Sequence, residues 1–247
     1  MNSQFLGFIL LKEPVCDLWQ LPDLLAERWQ TACEDVQQSG DALVFFCGGA
    51  MVSAAYMPAP VPNGEAEDNA VFNYMWRGAV DAAKQHTAHI MIAVIGKDCK
   101  PLQAGEMFVR AAESLLCDPN ACGFYVNGTV YEPAYYVKAA QMLRDDVLPV
   151  YNLVWHGLGR EEDGRLHGYT IGLENFGKDE IEVLHVSDEP AALLLFLTQL
   201  SGYVIGQDVT LHDGETIGFT ADQKLRITRA DSVEFDGKQT LHIEYPG

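Results

Sequence analysis

Ala42-Leu-Val-Phe-Phe-Cys-Gly-Gly-Ala-Met-Val-Ser-Ala-Ala-Tyr-Met57 reads as two apolar strands folded about Gly48-Gly49. A glycine pair supplies the positive φ that a tight hairpin requires. Upstream, Gln4 to Leu11 is a β-rich apolar run, and downstream His89 to Ile95 is another. Between the first strand and the hairpin, Asp17 to Gln38 carries Leu18, Leu21, Leu25, Trp29, Ala32 and Val36 at helical spacing. Asp17 is placed to cap that helix and Gly40 to end it. After the hairpin, Pro58, Pro60 and Pro62 force an extended loop to Gly64, the best candidate for mobility in the chain. Glu65 to His86 then reads as one helix, with Val71, Tyr74, Met75, Ala79 and Ala82 inward. The order strand-helix-strand-strand-helix-strand predicts a ferredoxin-like split unit over residues 1–100.

A linking helix, Leu102 to Leu116, is expected within residues 101–120, and a second unit over residues 121–247. Its elements are a strand (Gly123 to Asn127), a helix (Pro133 to Leu143) and a hairpin whose arms are Val150 to Leu158 and Leu166 to Leu173. A strand (Glu180 to Leu184), a helix (Asp188 to Tyr203) and a strand (Val209 to Leu211) follow. The tail alternates through Ile217, Phe219, Leu225, Ile227, Leu241, Ile243 and Tyr245, with turn dipeptides at Asp213-Gly214 and Asp236-Gly237. The expected fold class is α+β: two tandem ferredoxin-like (βαββαβ) units with mixed and antiparallel sheets and a β-rich C-terminal extension.

The charge is the strongest compositional signal. Among 247 residues, Asp+Glu number 35 and Lys+Arg 16, for a net charge of −19. A surface that binds phosphate backbones or anionic lipid needs local positive charge, so nucleic acid and membrane are not expected partners. The longest early apolar run, Phe5 to Leu11, has no basic residue before it and is followed by Lys12-Glu13-Pro14, unlike a signal peptide. A cytoplasmic protein is expected. Six cysteines, Cys16, Cys33, Cys47, Cys99, Cys117 and Cys122, then read as buried free thiols. Cys117 and Cys122 are the one close pair, open to a disulfide across a turn or to half of a metal site.

No catalytic motif is present. Ser53 has no Gly-x-Ser-x-Gly elbow, and there is no phosphate-binding loop, dinucleotide glycine pattern, His-Glu-x-x-His or calcium loop. Cys47 would act as a nucleophile only with a histidine brought near it by the fold. His86 and His89 read as a surface pair, and His156 and His167 as a pair facing each other across the hairpin. No metal and no cofactor are expected.

Two stretches carry a resemblance. Gly168-Tyr-Thr-Ile-Gly-Leu-Glu-Asn-Phe-Gly-Lys-Asp-Glu-Ile-Glu-Val-Leu184 and Leu211-His-Asp-Gly-Glu-Thr-Ile-Gly-Phe219 resemble, in order, the signature of a bacterial family known as domain of unknown function 4261. The resemblance covers about the last hundred residues and implies a bacterial cytosolic protein with no assigned reaction. Families of this kind are often found beside secreted toxins, as immunity proteins. The acidic balance fits that role, because carboxylates steer a basic partner to its site. The expectation is an immunity (antitoxin) protein that masks the active site of a cognate toxin, a basic nuclease effector. The residues expected to bind it are Glu161, Glu162, Asp163, Asp179, Glu180 and Glu182, with Trp155 and Tyr169 as aromatic anchors. The alternative is a small-metabolite enzyme with a cleft between the two units, using Cys47, His156 or His167.

Overall fold

β1 (Gln4–Leu11) is covered along one face throughout and on both faces only toward its C-terminal end, where Ile9, Leu10 and Leu11 are all buried. Phe5 stacks on Phe108 of α4 (Pro101–Leu116) at 5.7 Å. Leu10 belongs to a core on the other side, formed with Cys122, Tyr125 and Val130 under Ala66 and Ala70 of α2 (Glu65–Ala70) and Ala79 and Ala83 of α3 (Ala79–Gln85). The computed structural model describes residues 3–220 and 222–246. They divide into two units, Met1–Leu153 and Val154–Gly247.

The first unit is built on a seven-stranded sheet. With β2 (Glu34–Ser39), β3 (Ala42–Cys47), β4 (Ala50–Met57), β5 (Ala88–Gly96), β6 (Ala121–Val126) and β7 (Thr129–Tyr131), its order is β2-β3-β4-β5-β1-β6-β7. Every neighbouring pair is antiparallel. The expected split unit is therefore corrected. A split unit places its first strand between its third and its fourth, whereas β4 pairs directly with β5 and β1 lies beyond β5, beside β6. The expected boundary near residues 101–120 also moves, because β6 and β7 complete the first sheet and α4 packs on it.

The helix expected over Asp17 to Gln38 stops early. A short 3-10 turn (Leu18–Gln20) runs into α1 (Leu21–Trp29), and Gln30 takes φ 50°. Glu34–Ser39 forms β2 instead, with all six residues exposed. That polar stretch has no apolar stripe to hold a helix, but its backbone pairs with β3 around Gly40 at φ 55°. α5 (Pro133–Ala140) and α6 (Val150–Leu153) complete the unit, α6 replacing the start of an expected hairpin arm.

Glu113 of α4, wholly buried, ties α1 to α4 and the turn after α5. Arg28 donates to it from Nε at 3.1 Å and from Nη2 at 2.5 Å, Trp29 from Nε1 at 2.9 Å and Gln141 from Nε2 at 2.9 Å. The Arg144 guanidinium lies 4.6 Å over the Trp29 ring and donates to the Arg28 carbonyl at 2.8 Å.

The second unit has a six-stranded sheet ordered β11-β12-β13-β10-β9-β8. Its strands are β8 (Trp155–Arg160), β9 (Leu166–Ile171), β10 (Ile181–Val186), β11 (Thr216–Ile217), β12 (Leu225–Asp231) and β13 (Gln239–Ile243), with α7 (Pro190–Gly206) between β10 and β11. β10 and β13 run parallel and the other pairs antiparallel. α7 covers the face that carries Gly168, where an added Cβ would lie 2.7 Å from Leu197 and 3.1 Å from Leu193. This arrangement is not a second βαββαβ copy, and no strand forms at Val209–Leu211.

Truncating Glu113 to Ala would take the acceptor from Trp29 Nε1, while the Arg28 side chain, 31% exposed, can turn to water. The expected cost is about 1–3 kcal/mol, the range for a buried donor left unsatisfied. Glu113→Gln, which keeps an acceptor for Trp29, should cost less. Denaturant midpoints of the two variants check this ordering.

Candidate interaction site

The helix expected from Glu65 to His86 breaks after Ala70 and restarts at Ala79. Asn73 causes the break. Asparagine side chains compete with the helical backbone for hydrogen bonds, and here the buried Asn73 amide makes three. Its Nδ2 donates to the Val130 carbonyl of β7 at 2.8 Å, and its Oδ1 accepts the Met75 and Trp76 N–H groups, each at 2.9 Å. Trp76 packs onto the alanine-lined core below. The neighbouring side chains turn outward: Val71 is 62% exposed, Phe72 50%, Tyr74 44% and Met75 43%. Val71, Tyr74 and Met75 were expected inward, so this is a correction. Adjacent apolar and aromatic groups held in solvent by a buried clamp are the usual form of an interaction surface.

The approach to this loop is also pinned. His86 Nε2 accepts the Val61 N–H at 2.8 Å while its Nδ1 faces the Ala83 carbonyl. His89 Nδ1 donates to the Ala59 carbonyl at 2.8 Å, and burial lowers its pKa. Both rings are buried, not a surface pair, and they fasten the proline loop expected to be mobile. Glu65 accepts the Tyr125 hydroxyl at 2.7 Å, and Glu65 and Asp68 leave α2 with an exposed acidic face beside the loop.

The acidic residues singled out in the second unit are mostly committed internally. Glu161 accepts the His185 N–H at 2.7 Å and meets His185 Nδ1 at 2.6 Å. Burial alone would raise its pKa, but His185 and Arg165 hold it below the usual range. Asp163 accepts from Arg165 N at 3.0 Å and Nε at 2.7 Å. Asp179 takes both Arg229 nitrogens, at 3.0 and 2.5 Å. At the hairpin tip Glu162 and Asp163 are both exposed, Asp163 while paired with Arg165.

Four expected contact residues are inside: Trp155, Tyr169, Glu180 and Glu182 are 2%, 6%, 6% and 0% exposed. Their assignment as partner contacts is corrected on that ground. Glu182 accepts from Ser232 Oγ at 2.7 Å, Glu234 N at 2.9 Å, Val233 N at 3.1 Å and Thr240 Oγ1 at 3.0 Å, with His242 Nε2 at 2.9 Å. Burial works against its charge, but those bonds outweigh it and lower the pKa. The connection from β12 to β13 is thereby drawn over the sheet face away from α7. Phe235 meets Tyr169 edge-on at 5.7 Å, and His167 lies 3.3 Å from Glu234. Gly157 and Gly159 of β8 sit opposite Tyr169 and His167, and a Cβ at either glycine would collide with the ring. Glu180 accepts from Thr170 Oγ1 at 2.6 Å, Gly172 N at 2.7 Å and Glu174 N at 3.2 Å. There burial wins, and the pKa rises to about 7.

The residues considered for catalysis do not assemble as expected. His156 pairs across the hairpin with Thr170 and points at Ser201 Oγ of α7, 3.0 Å away, whereas His167 pairs with Gly159 on the opposite face. Burial lowers the His156 pKa to about 3. Cys117 is exposed and Cys122 is buried against the Leu10 carbonyl, both as free thiols. Among the described residues no group of three or more His, Cys, Asp or Glu is placed to hold a metal ion, and no helix is long and apolar enough to cross a membrane. A cavity of about 280 Å³ in the first unit holds Cys16 and Cys117 beside Asp17 and Asp118. Burial and the two aspartates raise the Cys16 pKa to about 11, which keeps it a poor nucleophile near neutral pH.

The model of Domain of unknown function (DUF4261) matches residues 169–244. The matched residues lie wholly in the second unit and contain Glu180, Glu182, Glu234 and His242. No curated protein and no solved structure matches the chain.

Glu180 makes a signed prediction. Its folded pKa of about 7 lies above the ordinary 4.5, so its contribution is fully present below about pH 4.5 and is lost as pH rises through about 7. The loss is on the order of 3 kcal/mol. Glu180→Gln should flatten this part of the stability-versus-pH curve, measured by chemical unfolding of parent and variant from about pH 4 to 8.

Proposed function

We propose that this protein is a binding module: a cytoplasmic immunity protein that neutralises a basic toxin, in the leading case a nuclease effector, by covering its active site. The observation that carries this reading is the Asn73-clamped loop, which presents Val71, Phe72, Tyr74 and Met75 to solvent on a chain of net charge −19. The two features serve different steps. Distributed negative charge accelerates encounter with a cationic surface and screens with salt. Apolar and aromatic anchors that enter a partner's pocket slow its release.

This moves the expected contact surface from the second unit to the first. The second unit's carboxylates still add to the long-range field, since pairing Asp179 with Arg229 leaves the unit's acidic excess intact. A protonated, carboxylate-flanked Cys16 and histidines on opposite sheet faces support binding over the small-metabolite enzyme.

The test uses the full chain and a candidate basic nuclease effector. Association should slow steeply as ionic strength rises. The double variant Phe72→Ser, Met75→Ser changes only exposed side chains. It should bind at least about tenfold more weakly, a loss of roughly 1.4 kcal/mol or more, and protect cells less from the toxin. Unchanged affinity and protection in that variant, or an association rate indifferent to salt, would falsify the reading.

A further inference from the structure

Cys33 and Cys47 are neighbours by register as well as by distance. β2 and β3 pair antiparallel with Glu34 opposite Phe46, so one step outward sets Cys33 opposite Cys47. Their sulfurs lie 3.1 Å apart, with the Cys47 thiol donating to Cys33. Opposed residues in antiparallel strands hold their Cβ atoms about 4.5–5.5 Å apart, and a disulfide needs about 3.5–4.5 Å. The sulfurs must close by about 1 Å, from 3.1 Å to the roughly 2.05 Å of a disulfide, beside an edge strand whose six residues are all exposed. A metal gripped tetrahedrally by two thiolates at about 2.3 Å would hold the sulfurs near 3.8 Å, wider than the distance here. No third ligand stands by among the described residues.

We propose that Cys33 and Cys47 form a reversible cross-strand disulfide when the protein meets a low-molecular-weight disulfide such as oxidised glutathione. Cys33, half-buried, is the entry thiol, because Cys47 is only 3% exposed. The Cys33 thiolate attacks one sulfur of the oxidant. A Cys33–glutathione disulfide forms and one glutathione leaves as its thiolate, which takes up the proton Cys33 lost. Cys47, as thiolate, then attacks the Cys33 sulfur and expels the second glutathione. The net change joins two protein thiols and reduces one oxidant disulfide to two thiols. Burial raises both cysteine pKa values, so the exchange is slow at neutral pH and quickens as pH rises. The product staples β2 to β3, an edge strand otherwise held by backbone bonds to a single neighbour.

The experiment treats the folded full chain with rising oxidised glutathione until exposed Cys117 carries an adduct, then alkylates all remaining thiols in denaturant and maps the peptides. The expected result is a linked Cys33–Cys47 peptide, the loss of two alkylatable thiols there, and recovery of both with dithiothreitol. In Cys47→Ser the reaction should stop at the glutathione adduct on Cys33. Cys33→Ser should leave Cys47 free to alkylate and abolish the rise in melting temperature that oxidation gives the parent. Alkylation of both Cys33 and Cys47 in the parent, at an oxidant level that loads Cys117, overturns the proposal.

Discussion

A carboxylate withdrawn from water must find its donors inside the protein, and in this chain that requirement organises both units. Glu113, Glu180 and Glu182 are the acidic side chains with the least access to solvent. Glu180 is served by nearby Thr170, Gly172 and Glu174, but Glu113 and Glu182 gather donors that local sequence does not supply. Glu113 draws Arg28 and Trp29 from α1 and Gln141 from beyond α5. Glu182 draws three donors from the Ser232–Glu234 turn and one from Thr240. An unmet buried charge costs several kcal/mol, so these contacts are conditions for the fold rather than additions to it. The same network accounts for the glycines of β8. Once the β12–β13 connection is pulled down by Glu182, Phe235 presses on Tyr169, and the Tyr169 and His167 rings lie across strand positions where no Cβ fits.

The parts of the fold legible in sequence were those in which one residue pattern has one solution. β1, the β3–β4 hairpin, β5, α4 and α7 all appear where apolar periodicity and turn residues place them. Strand order was not legible, because every apolar strand satisfies its pattern equally well beside any neighbour; the long-range pairing of β1 with both β5 and β6 decides it. The break at Asn73 was half legible. An asparagine inside an otherwise helical run, followed closely by Gly78, is a warning of a turn. Its partner, the Val130 carbonyl, is remote in sequence, and that bond turns a weak propensity into a fixed loop.

Glu180 and Glu182 show why alternation misleads. Period-two spacing correctly separates the two faces of a strand, but it does not say which face something else will cover. A polar face reads as solvent by default. Here a turn remote in sequence folds over Glu182, so the most regular acidic pattern in the chain became its most buried one. By contrast, Val71, Tyr74 and Met75, which their helical spacing marks as core, stand in solvent.

The position of that loop also bears on what an acidic protein needs in order to be selective. A net charge of −19 attracts any basic macromolecule, and attraction over a Debye length carries little information about shape. Discrimination has to come from contacts that fit one partner and not another. Three hydrogen bonds from the Asn73 side chain hold the loop in place before any partner arrives. The ordering of its backbone is then a cost already met in folding rather than one charged against binding. On the proposed reading, acidic steering and a preorganised apolar contact divide a labour that charge alone does not achieve, and the selective element then belongs to the unit that lies outside the family match.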